Sequence, residues 1–126
     1  MAINPDMDVL IVDDASAMRR IVRRLLTELG FKNLREAENG QVALEELKRK
    51  RADFVVSNWS MPVMNGIELL RAIRADENLN SIRVLIVTSE AKQQSILEVV
   101  QAGVSDYIVK PFNAATLQEK LKKIFP

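Results

Sequence analysis

The chain alternates short apolar runs with longer amphipathic stretches, and no linker or low-complexity segment interrupts the pattern. The runs are DVLIV (8–12), LREA (34–37), FVVS (54–57), RVLIV (83–87) and DYIV (106–109), mostly β-branched and apolar on both faces. That is how strands read when a parallel sheet is covered on both sides. Between the first two runs, Met18, Ile21, Val22, Leu25, Leu26 and Leu29 recur at helical spacing and stop at Gly30, a residue suited to the turn that closes a helix. Weaker stripes predict helices over 41–50, 67–75, 94–102 (just before Gly103) and 114–125. The order (βα)5 implies right-handed crossovers and a doubly wound α/β sandwich of three layers. In such a sheet the ligand site lies beyond the carboxyl ends of the strands, where the winding reverses.

Composition narrows the chemistry. At 126 residues the chain has the size of one domain, so 1–126 is read as a single unit with no room for a second. Basic and acidic residues number 18 and 17, and the net charge of +1 offers no general attraction to nucleic acid or membrane. The run KRKR (48–51) falls at a predicted helix end, where cations suit the dipole, and is read as a solvated face. With neither cysteine nor histidine, the chain has no disulfide, thiolate nucleophile, imidazole base or histidine zinc ligand. The opening MAINPDMDVLIVDD contains no long apolar run, so neither a signal peptide nor a membrane anchor is expected, and the cytoplasm is the expected compartment.

The polar residues that end strands therefore matter most. They are Asp13 and Asp14 after the first run, Asn58 after the third, Thr88 after the fourth and Lys110 after the fifth. Two adjacent carboxylates repel each other unless a cation lies between them, and a hard, oxygen-seeking ion such as Mg²⁺ suits that place. Lys110 adds a positive point charge for an anion, and Thr88 a hydroxyl donor. Two acids, a hydroxyl and a lysine on one sheet edge make a phosphoryl-transfer site without a base. A nucleophile is missing, because a carboxylate can take a phosphoryl group and an amide cannot.

The stretches IVDDASAMRRIVRRLLTELGF, FVVSNWSMPVMNGIELLRAIRAD, VTSEAK, QAGVSDYIVKPF and AATLQEKLKKIF together carry a resemblance. The chain resembles the receiver domains of response regulators, the CheY-like chemotaxis group most closely, over essentially its whole length. That resemblance implies a flavodoxin-like fold with the strand order 2-1-3-4-5. It implies Mg²⁺ held by Asp13, Asp14, position 58 and the backbone carbonyl of Ser60, and phosphoryl oxygens met by Thr88 and Lys110. Position 58 is where the family has its phosphoacceptor aspartate, and Asn58 departs from it. Ala15, Ala17 and Ser60 are smaller departures. Tyr107 matches the aromatic switch that turns inward when the site is occupied, Trp59 a reporter beside the pocket, and Lys110-Pro111 a cis peptide. The implied partner face comprises Glu90, Ala91, Lys92, Ile96, Val100, Tyr107, Lys120 and Lys123. The implied partners are a CheA-type histidine kinase, the flagellar motor switch protein and a phosphatase, with the receiver itself a monomer and not an enzyme beyond its own phosphorylation and dephosphorylation.

Two readings of Asn58 stand side by side. Either an Asp-to-Asn change freezes an otherwise active regulator in its unphosphorylated form and leaves Mg²⁺ more weakly held, or the chain is a natural pseudo-receiver, a binding module whose output needs no phosphate. A flavodoxin-like flavin or nucleotide enzyme is disfavoured, since no Gly-rich phosphate loop follows the first strand.

Overall fold

The structure is a computed structural model that describes residues 4–89 and 93–126, apart from the side chains of Gln93 and Gln94. Glu90, Ala91 and Lys92 of the expected partner face lie outside the described residues. The elements run β1 (Asp8–Val12), α1 (Ser16–Glu28), β2 (Asn33–Ala37), α2 (Gly40–Arg49), β3 (Phe54–Asn58), α3 (Gly66–Ala75), β4 (Arg83–Thr88), α4 (Gln93–Gln101), β5 (Asp106–Val109) and α5 (Ala114–Ile124). All strands pair in parallel, in the order β2-β1-β3-β4-β5.

Alternate residues of each central strand feed opposite faces of the sheet, as the pleat requires. Leu10, Val12, Val55, Val84 and Ile86 pack against α2, α3 and α4, while Val9, Ile11, Phe54, Val56 and Leu85 pack against α1 and α5. The sheet is thus buried on both sides, and each helix is fixed by its own apolar stripe.

One expectation needs correcting. β2 and β5 are not apolar on both faces: as edge strands they bury only Ala37 and Ile108, and β2 carries Glu36 toward solvent while the Arg35 side chain is 19% exposed. Charged side chains on an edge are a common guard against strand addition. β3 and β4 each extend one residue beyond their apolar runs, so Asn58 and Thr88 belong to the sheet itself. Asn58 pairs with Val87 and Thr88 with Val109.

Helix ends follow the local chemistry. Gly30 adopts φ 104° after α1, where its N–H reaches the Thr27 carbonyl at 3.0 Å and Phe31 N–H reaches Leu26 at 3.1 Å. That is the paired closure which favours glycine. Asn65 begins α3 with a reciprocal box, its Oδ1 accepting from Glu68 N–H at 2.9 Å while Glu68 Oε1 accepts from Asn65 N–H at 3.0 Å. Gly66 lets the β3–α3 loop fold back on the strand, for a Cβ there would stand 2.4 Å from the Asn58 carbonyl oxygen.

Candidate functional site at the strand carboxyl ends

The winding reverses between β1 and β3, and the residues singled out by the sequence gather at the ends of those strands and of their neighbours. A cavity of about 330 Å³ is lined by Asn58, Trp59, Ser60, Thr88, Ser89, Ser95 and Lys110. Asp13 and Asp14 are not part of that lining and stand to one side, after β1. Ser89 and Ser95 were not singled out by the sequence. Each is one hydroxyl in an ordinary polar loop or helix start, and nothing in their spacing marks them.

Asn58 is buried, at 8% exposure, and both ends of its amide are engaged. Its Oδ1 accepts from Lys110 Nζ at 3.2 Å, and its Nδ2 donates to the Ser60 carbonyl at 2.8 Å. Reversing the amide would set an NH₂ group against an ammonium and an oxygen against a carbonyl oxygen, so both neighbours select the same orientation. Thr88 is buried at the end of β4 and faces the same cavity. Lys110 follows β5 and precedes Pro111 through a cis peptide, as the resemblance implied.

Asp13 is nearly buried, whereas Asp14 is exposed. Burial pushes the Asp13 carboxyl above its ordinary value; the Ala15 N–H and the charge of Lys110 pull it back, and neighbouring Asp14 raises it again. Neither acid caps α1 directly. The cap position is Ala15, which has no side-chain cap bond, and Asp13 Oδ1 instead accepts from Ala15 N–H at 2.9 Å.

Arg19 is a residue that reading the sequence missed. Its Nη1 donates to the Asp13 carbonyl at 2.6 Å and its Nε to Glu36 Oε1 at 2.9 Å, while Arg23 Nε takes the other Glu36 oxygen at 2.7 Å. With Asp13 N–H bonded to the Ala37 carbonyl at 3.1 Å, the acid-bearing turn is tied to β2 on one side and α1 on the other. Desolvation raises the Glu36 carboxyl, but its two arginine partners outweigh that and hold it below the usual carboxylate range. The RR pairs of α1 were visible in the sequence, but their carboxylate partner on an edge strand was not.

Of the expected partner face, Ile96 is half-buried, Val100 is 56% exposed and Lys123 is exposed. Leu97, at 54%, and Val109 add to this surface and were not anticipated. Trp59 is half-buried and packs on the α2–α3 side of the core, consistent with a position beside the pocket. Tyr107 is half-buried, packs against the same core, and has the Lys120 ammonium 4.8 Å from its ring centroid. The KRKR run is exposed throughout, as expected of a solvated face, although Arg51 donates to the Asn78 carbonyl and Ser81 hydroxyl and Arg49 to Glu46.

A parallel five-stranded sheet in this order, with acids, a hydroxyl and a lysine at one edge, is the architecture of a signalling receiver. The family model for the response regulator receiver domain matches residues 9–122, and the chain belongs to that family. Within it the chain is CheY-like. It is 58% identical to chemotaxis protein CheY-3 of Vibrio cholerae over 123 residues, covering 98% of this chain and 95% of that one. It is 56% identical to chemotaxis protein CheY of Pseudomonas aeruginosa over 119 residues, covering 94% and 96%. Among solved structures, chemotaxis response regulator CheY4 of Vibrio cholerae superposes with a TM-score of 0.87 at 31% identity, covering 94% and 98% of the two chains. A CheX–CheY complex with BeF3 and magnesium from Borrelia burgdorferi gives 0.87 at 27% identity, covering 95% and 90%. The chain is thus a receiver domain of a chemotaxis response regulator, a signalling module rather than a turnover enzyme. Among the described residues, no helix is long and apolar enough to cross a membrane.

Proposed function

We propose that this receiver stands between a CheA-type histidine kinase and the flagellar motor switch, in a form that Asn58 holds unphosphorylated. The observation that carries the reading is the closed bonding of the Asn58 amide between Lys110 and the Ser60 carbonyl. A carboxylate at that place would offer an anionic oxygen to phosphorus, with Lys110 beside it to meet the incoming charge. The amide fills the same space, satisfies the same lysine, and has no such oxygen. Thr88 and Lys110 are the groups assigned to the phosphoryl oxygens, and Tyr107 is assigned as the switch.

Receiver domains typically bind Mg²⁺. The donor set here fits a hard divalent cation, because Asp13 and Asp14 supply carboxylates and Ser60 a carbonyl. It fits less well than an aspartate site would. Among the described residues no group of three or more acids, histidines or cysteines is placed to hold a metal ion, and the Ser60 carbonyl already accepts from the amide. When bound, the ion would neutralise the acid pair and the charge brought by a phosphoryl group. The complex of CheY with CheX supports a phosphatase among the partners. The molecule is read as a single cytoplasmic domain over 1–126 that acts as a monomer.

Affinity for a motor-switch peptide tests this reading. In the Asn58 chain it should be low and unresponsive to beryllofluoride with Mg²⁺, since the mimic needs a carboxylate oxygen as its fourth ligand. In Asn58→Asp the same treatment should tighten binding by about tenfold or more, or about 1.4 kcal/mol of released conformational bias. Equal, tight binding by the untreated Asn58 chain would replace this reading with that of a phosphate-independent binding module.

A further inference from the structure

Tyr107 does not stand alone at the edge of the sheet. The Lys120 ammonium of α5 lies over its ring at 4.8 Å from the centroid, a favourable placement for a cation on an aromatic face. That ammonium is itself held, 3.3 Å from Asp106 Oδ1 on β5. The same Asp106 oxygen accepts from the backbone N–H of Tyr107 at 2.8 Å. The carboxylate and the ammonium are only 16% and 22% exposed, so water screens the pair less than it does an open surface ion pair. Acid, cation and ring form a closed triangle in which the acid fixes both the peptide that carries the ring and the cation that covers it.

We propose that Asp106 and Lys120 are positioning residues for the switch ring, holding Tyr107 in the orientation seen here and setting how strongly site occupancy must act to turn it. The proposal rests on the reading of Tyr107 as the switch. Rotating the ring away from Lys120 gives up the cation contact, while the ammonium remains tethered to Asp106 and cannot follow. The triangle thus adds to the resting state a bias that the phosphoryl site has to overcome. Lys120, placed on the partner face by the resemblance, then has a second role inside the molecule. A partner that engages its ammonium would loosen the ring and favour the turned state, coupling the two by the same bias in either direction.

The chain contains one tyrosine and one tryptophan, so each can be read without assignment. The experiment uses the full chain with Asn58→Asp, labelled with 3-fluorotyrosine and titrated with beryllofluoride in saturating Mg²⁺. Trp59 fluorescence reports occupancy of the site and the fluorine resonance reports the ring. Lys120→Met keeps the aliphatic stem and removes the charge. It should shift the resting resonance and lower the beryllofluoride midpoint for ring movement about two- to fivefold, the range for a modest cation–ring contact. Lys120→Arg should restore both. Asp106→Asn keeps an oxygen for the Tyr107 N–H and should move both readouts in the direction of Lys120→Met, by less. If the ring turns on occupancy but Lys120→Met leaves resonance and midpoint unchanged, or raises the midpoint, the positioning role is wrong and Tyr107 remains the switch. If Trp59 shows occupancy while the fluorine resonance stays still in every variant, the reading of Tyr107 fails and the proposal falls with it.

Discussion

Lys110 Nζ reaches Asn58 Oδ1 at 3.2 Å, joining the ends of β3 and β5 above the intervening β4. The contact needs only an oxygen with a lone pair, and an amide supplies one as well as a carboxylate does. The lysine therefore has an oxygen partner without phosphate, metal or acid at position 58. What the amide cannot reproduce is charge. The following expectations turn on that difference and on the bonds that hold the acid pair.

Mg²⁺ should bind more weakly to the Asn58 chain than to Asn58→Asp, by about tenfold or more. A unit charge at about 4 Å is worth roughly 1–4 kcal/mol between bulk water and a protein surface. Titration by Trp59 fluorescence measures both constants, and tighter binding by the Asn58 chain would count against the assignment of the metal ligands.

Asp13→Asn should stabilise the fold at neutral pH without metal. The folded carboxyl is raised above the ordinary 3.8, chiefly by burial, so its ionised form opposes folding at pH values above the folded pKa. As pH falls through the folded pKa toward 3.8 the acid takes up its proton and that penalty disappears. The gain should therefore shrink as pH falls and vanish below about 3.8, while the Asn Oδ1 keeps the Ala15 N–H bonded throughout. Denaturation midpoints across that range measure it, and a variant less stable at pH 7 would show that the burial cost has been offset elsewhere.

Arg19→Ala should cost about 1.5–3 kcal/mol of stability, the range for hydrogen bonds to charged groups. In the Asn58→Asp background it should also weaken Mg²⁺ by about tenfold, the low end for a residue that orients metal ligands. Arg49→Ala removes the exposed pair with Glu46, far from the acid-bearing turn in the chain, and should leave Mg²⁺ affinity unchanged. Equal Mg²⁺ affinity in Arg19→Ala and its parent would reduce Arg19 to a purely structural tie between α1 and β2.

Most of the layered fold was legible because its cause is local. The runs at Val9–Val12 and Val84–Val87 encode burial directly, the stripe from Met18 to Leu29 buries Val22, Leu25 and Leu26 but leaves Ile21 40% exposed, and Gly30 and Gly103 both take the positive φ that ends a helix. LREA carries Arg35 and Glu36 in mid-run, where DVLIV, FVVS and RVLIV carry no charge, so the edge character of β2 was written in its charges and not in the alternation of runs with helices. The strand-end residues could be picked out because a doubly wound sheet turns sequence position into spatial convergence. Arg19, Asp106 and the pairing of Lys120 with Asp106 escaped because their meaning depends on contacts between separate elements, across 17 positions for Arg19 with Glu36 and 14 for Lys120 with Asp106. Charge alone in the sequence does not say which acid a base will find.

The most direct measurement is phosphoryl transfer itself. The full chain and Asn58→Asp are each incubated with radiolabelled acetyl phosphate and Mg²⁺, and acyl phosphate on the protein is counted. The expected result is stable label on Asn58→Asp and none above background on the Asn58 chain, because the amide lacks the anionic oxygen that attacks phosphorus. Equal labelling of the two chains would contradict the central claim, since phosphate would then be entering at a residue other than position 58.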